Sequence, residues 1–152
     1  MITFESDYVE GCHEAILERF KETNYEQLSG YGNDHYTVSA KEKIKKACNN
    51  DNVEGLSILG GEPMHPSNIE GTTKLAKAFK DRFPNKSLWV WTGFTFDNYL
   101  KNKEVSQYID VLIDGQYVDE LHDPTLKWKG SSNQRVIDVQ KSLKENKIIT
   151  IE

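Results

Sequence analysis

A glycine pair followed by a carboxylate is the stretch of this sequence with the clearest chemical potential. The apolar run Leu-Ser-Ile-Leu leads into Gly60, Gly61, Glu62 and Pro63. Such a run, ended by glycine and proline, predicts a buried strand that stops at a tight loop. Glycines lack a Cβ and let a ligand approach the backbone closely, and Glu62 offers an acceptor to an ammonium or hydroxyl group. A purely structural turn is the alternative for so short a pattern.

A second apolar and aromatic run, Ser-Leu-Trp-Val-Trp, ends at Thr92 and Gly93. Ligands of parallel α/β sheets bind at the carboxyl ends of the strands, and neighbouring parallel strands share that edge. We therefore expect Thr92 and Gly93 to lie on the same edge as Glu62. Trp89 and Trp91 are two positions apart, so both point to one face of the strand, where core packing is the simplest interpretation.

Apolar periodicity separates a helical beginning from an alternating α/β remainder. The polar run Asn-Asn-Asp-Asn at 49–52 breaks the pattern and marks the best internal boundary. Strands and helices alternate after it, which predicts a mainly parallel sheet. The predicted helices cover residues 12–23, 39–48, 67–82 and 96–100, and the predicted strands cover 55–59, 87–92, 108–113 and, returning antiparallel, 117–121. Extended segments are predicted at 135–139 and 147–151, with a short helix between them.

Composition and charge exclude several classes of protein. With 152 residues and a formal net charge of −5, the chain can form a core but lacks the basic surface that nucleic-acid binding requires. No apolar run approaches the roughly 20 residues that span a bilayer, and the N-terminus lacks the features of a signal peptide. We expect a cytoplasmic protein without nucleic-acid or membrane partners. The two cysteines, Cys12 and Cys48, make neither a disulfide framework nor a metal knuckle.

Several stretches in the second two thirds of the chain occur together, and in the same order, in one known family. They are Leu59-Gly60-Gly61-Glu62-Pro63, Trp89-Val90-Trp91-Thr92-Gly93-Phe94, Asp110-Val111-Leu112-Ile113-Asp114-Gly115, Lys129-Gly130-Ser131-Ser132-Asn133-Gln134-Arg135 and Val139-Gln140-Lys141-Ser142-Leu143. From about residue 52 onward the sequence resembles the activating proteins of anaerobic ribonucleoside-triphosphate reductase, which are small radical S-adenosylmethionine (radical SAM) enzymes. The resemblance implies a partial parallel (β/α) barrel of the radical SAM type.

The resemblance also implies cofactors and a partner. The cofactors are S-adenosylmethionine (SAM) and a [4Fe–4S] cluster, and the partner is the catalytic subunit of the anaerobic ribonucleotide reductase. In that family, the radical formed from SAM takes a hydrogen atom from a glycine of the reductase. By resemblance, the residues that bind SAM are those of the two strand ends: Gly60, Gly61, Glu62, Pro63, Thr92 and Gly93. Asp114 and Asn133 are further candidates for ribose or partner contacts.

The sequence departs from the family pattern at the cluster. Radical SAM enzymes hold it on a Cys-x-x-x-Cys-x-x-Cys loop, which is absent from this sequence. Cysteine thiolates hold such clusters, and Cys12 and Cys48 cannot supply three. We therefore predict an impaired activating protein and assign no catalytic or metal-binding residue. The alternatives are a non-catalytic SAM- or partner-binding remnant and a chimeric chain with no activity of its own.

The first fifty residues carry a different set of stretches, which are Asp7-Tyr8-Val9-Glu10-Gly11-Cys12-His13, Glu22-Thr23-Asn24-Tyr25-Glu26-Gln27 and Gly30-Tyr31-Gly32-Asn33-Asp34-His35-Tyr36. They are similar to the start of threonine aldolases and β-eliminating lyases, although no lysine here matches the cofactor lysine of that family. We predict a mainly helical segment at 1–50 joined to an activase-like α/β domain at 51–152. Helices in place of a first barrel strand would leave a strand edge exposed, which predicts self-association.

Overall fold

The computed structural model describes residues 13–26 and 34–151. The backbone forms two compact units, Met1–Ile44 and Lys45–Glu152. The predicted division into two pieces of different origin, at residues 49–52, stays a prediction. Within the described residues, no helix is long and apolar enough to cross a membrane.

The first unit contains helix α1, Glu14–Thr23, and most of helix α2, His35–Cys48. The ring of His13 caps α1 by accepting a hydrogen bond of 3.1 Å from a backbone amide of the first turn, and so satisfies one of the amides that a helix start leaves free. No residue of α1 is buried, and its apolar side chains, such as Phe20, are exposed. Both predicted helices are confirmed, although α2 begins at His35 rather than at residue 39.

A four-stranded open sheet organises the second unit. Its strands lie in the order β1-β2-β3-β4, and they are β1, Gly55–Ile58, β2, Ser87–Trp91, β3, Val111–Asp114, and β4, Arg135–Asp138. Strands β1, β2 and β3 are parallel, whereas β4 runs antiparallel to β3. The predicted mixed α/β architecture is confirmed. One edge of the sheet therefore gathers the carboxyl ends of three strands and the start of the fourth.

Helices and short turns connect the strands. Helix α3, Ile69–Arg82, follows β1, and helix α4, Val139–Glu145, follows β4. Between β2 and β3 the chain forms a π-helical turn, Phe96–Leu100, and a 3₁₀ turn, Glu104–Gln107. Helical structure was predicted for all of these segments except the 3₁₀ turn.

The main core lies on one face of the sheet, and strand β2 shows how the sequence divides the two faces. Leu88 and Val90 are fully buried and belong to the cluster that includes Phe79 of α3. Trp89 and Trp91 belong to a smaller cluster with residues of β3 and β4. Their rings are stacked with centroids 6.0 Å apart, which confirms that they share a face and pack together. Each fully buried aliphatic side chain contributes roughly 1.5–3 kcal/mol to folding.

The predicted antiparallel strand at 117–121 is wrong. These residues belong to a long loop between β3 and β4, and the loop contains a 3₁₀ turn, Asp119–Leu121. The backbone amide of Val118 donates to the hydroxyl of Ser131 over 3.2 Å. A side chain of the same loop therefore takes the place that a strand partner would have occupied.

One strand begins later than predicted, and one predicted extended segment pairs only near its end. Strand β3 begins at Val111 rather than at residue 108, because the 3₁₀ turn before it extends to Gln107. The extended segment predicted at 147–151 is confirmed near its end, where the amide of Ile151 donates to the carbonyl of Val136 over 2.8 Å. This segment pairs with β4 on the side away from β3 through an isolated antiparallel bridge.

Candidate functional site

The loop after β1 begins with two glycines in the left-handed region of the backbone. Gly60 has φ +87° and Gly61 has φ +57°, conformations that other residues adopt only with strain. Apart from the glycine itself and its two chain neighbours, no residue lies within 4 Å of the position that a Cβ would occupy at either glycine. Among the described residues, no hydrogen bond reaches the backbone amides or carbonyls of this pair. The loop therefore presents open backbone donors and acceptors.

The carboxylate of Glu62 joins this loop to the loop after β2. Its Oε1 accepts from the hydroxyl of Thr92 at 2.5 Å and from the amide of Met64 at 3.0 Å. Its Oε2 accepts from the amide of Gly93 at 2.8 Å. A carboxylate has about four acceptor positions, so one position on Oε2 remains after these three bonds. Glu62 both fixes the two loops and keeps an acceptor for a further donor.

Helix α3 and the residue that precedes it bind the same loop through side-chain hydrogen bonds. The side-chain amide of Asn68 donates to the carbonyl of Glu62 over 2.9 Å, and the buried hydroxyl of Thr72 donates to the carbonyl of Pro63 over 2.8 Å. Met64, the next residue, is fully buried in the main core. Pro63 therefore lies where it anchors the loop to the helix, while Glu62 faces the opposite loop.

Thr92 is buried and has no hydroxyl donor left for a ligand. It is 6% exposed, and its hydroxyl donates to Glu62 while accepting from the amide of Phe94 over 3.1 Å. Gly93 is exposed, and a Cβ there would lie 3.4 Å from Oε2 of Glu62. Thr92 positions the carboxylate, and Gly93 leaves room in front of it.

The structure thus brings together all six residues that the sequence predicted for this edge. The contacts divide them into open positions and supporting positions. Gly60, Gly61 and Gly93 are exposed, whereas Pro63 and Thr92 are buried, and Glu62 lies between these extremes.

A buried carboxylate stands next along the edge, at the end of β3. Asp114 is fully buried and accepts from the guanidinium of Arg135 through two bonds, at 2.8 and 2.5 Å. It also accepts from the amide of Phe96 at 2.8 Å. Arg135 donates further to the exposed carboxylate of Asp97 at 2.8 Å. The hydrogen bonds that Arg135 donates to Asp114 raise the pKa of Arg135 above its ordinary value, so this guanidinium stays charged.

The sequence pointed to Asp114 but missed both Arg135 and Asp97. Asp114 stands at a strand end before a glycine, and that signal could be found locally. Arg135 and Asp97 are separated by 38 positions, and no periodicity or motif spacing connects them. The register of β4 brings Arg135 opposite Asp114, and only the pairing of the strands reveals it.

The ion pair of Asp97 with Arg135 is expected to make the free energy of unfolding decrease at low pH. The hydrogen bond from Arg135 lowers the pKa of the Asp97 carboxyl. Because the folded value lies below the unfolded value of about 3.9, the stabilisation is complete above that value and is lost as the pH falls through the folded value. We expect Asp97→Asn to flatten the dependence of the unfolding free energy on pH between about pH 5 and about pH 2.5, measured by urea unfolding. Asp81→Asn, at an exposed carboxylate of α3, is the control, and equal slopes for all three proteins would contradict the expectation.

A glutamine at the end of the long loop ties that loop to the same edge. Oε1 of Gln134 accepts from the amides of Gly130 and Ser131 at 2.9 and 3.2 Å, and its Nε2 donates to the carbonyl of Gly115 at 3.0 Å. The side chain of Asn133 donates to the backbone carbonyl of residue 116 over 2.8 Å. Asn133, a predicted ligand-contact candidate, therefore serves the loop through its amide nitrogen. The sequence offered no signal for the role of Gln134.

The described residues do not fit an iron–sulfur cluster. Cys48, the one cysteine among them, is 4% exposed and packs in the main core, and Cys12 lies outside the described residues. In the part of the chain that the structure describes, no three His, Cys, Asp or Glu side chains are grouped to hold a metal ion. Because cysteine thiolates hold such clusters, we assign no cluster chemistry to these residues.

The chain resembles known proteins over most of its length. A family model described as a 4Fe-4S single cluster domain matches residues 6–137. The anaerobic ribonucleoside-triphosphate reductase-activating protein of Vibrio cholerae is 34% identical over 130 residues, which cover 84% of this chain and 82% of that protein. The protein of the same name from Escherichia coli K12 is 33% identical over 132 residues, with 85% and 84% covered. The one from bacteriophage T4 is 38% identical over 102 residues, with 66% and 64% covered.

No solved structure matches the chain. The family match begins at residue 6, so it includes most of the segment whose sequence resembled the start of an aldolase or lyase. The comparisons do not show that second resemblance. Taken over most of its length, the chain belongs to the family of the 4Fe-4S single cluster domain and, within it, to the anaerobic ribonucleoside-triphosphate reductase-activating proteins.

Proposed function

We propose that this chain takes part in the activation of anaerobic ribonucleotide reductase by binding SAM at the edge formed by the ends of β1 and β2. The single observation that supports this most is the geometry of Glu62. Its carboxylate is fixed by three protein donors, and the remaining acceptor position on Oε2 lies beside the exposed Gly93. Open backbone groups of Gly60 and Gly61 precede it in the same loop.

The amino-acid end of SAM suits such a surface. Its ammonium group needs acceptors, and its carboxylate needs donors. In our proposal, Oε2 of Glu62 and the carbonyls of the glycine pair accept from the ammonium group, which gives charge-assisted hydrogen bonds. The amides of Gly60 and Gly61 donate to the carboxylate of SAM. Thr92 and Pro63 hold the loop in place without touching the ligand.

We propose further that the sheet belongs to a partial barrel of the radical SAM type and that the partner is the catalytic subunit of the reductase. The parallel order of β1, β2 and β3 supports the first proposal, and the antiparallel β4 departs from it. The names of the relatives support the second.

We also propose that radical generation is impaired in this chain. The sequence has two cysteines, and the one that the structure describes, Cys48, is buried in the main core. This observation favours a second candidate function, a protein that binds SAM or the reductase without forming a radical.

Equilibrium dialysis with labelled SAM tests the proposal on the full chain. We expect saturable binding in the micromolar range, roughly −8 kcal/mol, that S-adenosylhomocysteine displaces and ATP does not. A folded protein without saturable SAM binding would contradict the proposed site.

Anaerobic reconstitution with iron and sulfide, followed by reduction and EPR spectroscopy, separates the two candidate functions. We expect no [4Fe–4S]⁺ signal from the chain. A signal that changes on addition of SAM would show that the chain holds a cluster, and the proposed impairment would then be wrong.

A further inference from the structure

The long loop between β3 and β4 presents a tryptophan in an uncommon backbone conformation. Trp128 has φ 64°, a value that is a genuine outlier for a bulky side chain. The residue is 47% exposed. Backbone strain of this kind persists where the surrounding structure enforces it, and it concentrates at binding sites. An exposed aromatic residue held under strain therefore needs an explanation.

Two other tryptophans hold Trp128 in place. The indole Nε1 of Trp91 donates to the carbonyl of Trp128 over 2.8 Å, and the ring of Trp89 meets the Trp128 ring edge-on with centroids 5.4 Å apart. Both supporting residues lie on strand β2. Contacts with strand β2 therefore hold the exposed indole in place, which lowers the entropic cost of binding.

A groove of about 550 Å³ lies beside this tryptophan. Its described lining includes three cationic side chains, Lys127, Lys129 and Arg135, together with apolar residues such as Val136 and Ile151, and it includes no carboxylate. The whole chain carries a net charge of −5, so this groove is a local exception. Its charge favours a negatively charged occupant.

The three cations differ in how much of their charge remains available. Arg135 is neutralised by Asp114 and Asp97. The ammonium group of Lys129 donates to a backbone carbonyl at 2.9 Å, which leaves its charge uncompensated. Lys127 is exposed and makes no hydrogen bond or ion pair with the described residues. The acidic neighbour Asp123 is bonded to the hydroxyl and amide of Thr125.

We propose that this groove docks an acidic, extended segment of the catalytic subunit of anaerobic ribonucleotide reductase, with Trp128 as the aromatic anchor. The inference rests on the partner that we propose above. Lys127 and Lys129 meet the carboxylates of the segment, and the indole of Trp128 covers one of its apolar side chains. Tryptophan is one of the residue types that most often dominate the energy of protein interfaces, and here it lies between two lysines on a supported loop.

Affinity of the full chain for the catalytic subunit, measured by isothermal titration calorimetry, tests the proposal. Trp128→Gly removes the anchor and suits the positive φ, so the backbone keeps its conformation. We expect it to weaken binding by about thirty-fold, and Lys127→Glu to weaken it by about ten-fold. Binding of the parent chain should also weaken with added salt. Lys144→Glu, the same charge change at an exposed position of α4, is the matched control and should stay within about twofold.

The outcomes separate this proposal from the one it rests on. If the parent chain binds and both variants match it, the groove is not the docking site. If the parent chain does not bind the subunit, both the docking site and the proposed partner are wrong. If Trp128→Gly and Lys127→Glu instead change the sedimentation of the chain alone, the groove joins two copies of this chain and the proposal is overturned. SAM binding of all variants, measured in parallel, should equal that of the parent.

Discussion

Replacing Arg135 by leucine is expected to lower the free energy of unfolding by about 3–5 kcal/mol. The guanidinium supplies two of the three hydrogen bonds to the fully buried carboxylate of Asp114, and the amide of Phe96 supplies the third. Without the guanidinium, the buried carboxylate of Asp114 has no positive partner and keeps a single hydrogen-bond donor. Urea unfolding followed by far-UV circular dichroism measures the loss.

Two companion variants make this result specific. Lys141→Leu removes an ion pair with Asp138 whose lysine is 68% exposed, and it should cost at most about 1 kcal/mol. The double variant with Asp114→Leu and Arg135→Leu should be more stable than Arg135→Leu alone, because no unpaired charge stays buried. A single variant as stable as Lys141→Leu would contradict the structural role given to Arg135.

Glu62→Gln is expected to weaken SAM binding about ten- to a hundred-fold, the loss that corresponds to a charged hydrogen bond of about 1.5–3 kcal/mol. The three protein donors that surround the carboxylate face both oxygens. An amide has one acceptor oxygen, so its NH₂ group must face at least one of these donors. The variant removes the charge that attracts the ammonium group and loosens the tie between two loops. Equilibrium dialysis measures the change.

Two controls separate ligand contact from loop position. Glu70→Gln, at the exposed partner of Lys74 on α3, should leave SAM binding within about twofold. Thr92→Val removes the hydroxyl that positions Glu62, and it should weaken binding although our proposal gives the buried Thr92 no contact with SAM. Unchanged binding in Glu62→Gln would remove Glu62 from the proposed site.

Local patterns were sufficient to predict the edge of the sheet but not its side-chain contacts. Apolar runs ended by glycine located the ends of β1 and β2, and the rule for parallel strands placed Thr92 near Glu62. The division of roles within the edge could not be predicted. Whether Thr92 faces the ligand or the carboxylate depends on rotamers that tertiary packing sets, and sequence spacing holds no information on them.

The errors have related physical causes. The segment at 117–121 has the composition of a strand, yet hydrogen bonds within the loop replaced the pairing with a neighbour. The antiparallel direction of β4 was not predicted, because the order and direction of strands depend on long-range pairing. The same pairing places Arg135 opposite Asp114, which is why a residue with a large expected effect on stability was missed.

The hydrogen bonds along the edge have a consequence for motion. Glu62 links the exits of β1 and β2. The carbonyl of Phe94 accepts from the amide of Gly115, where the long loop begins, and Gln134 ties the start of that loop to its end. The three loops are therefore connected in series, and one loop cannot open without breaking a bond to the next. We expect the hydrogen-bonded amides of these loops, those of Met64, Gly93 and Gly115, to exchange with solvent deuterium as a single cooperative group, so that the edge forms or opens as a whole.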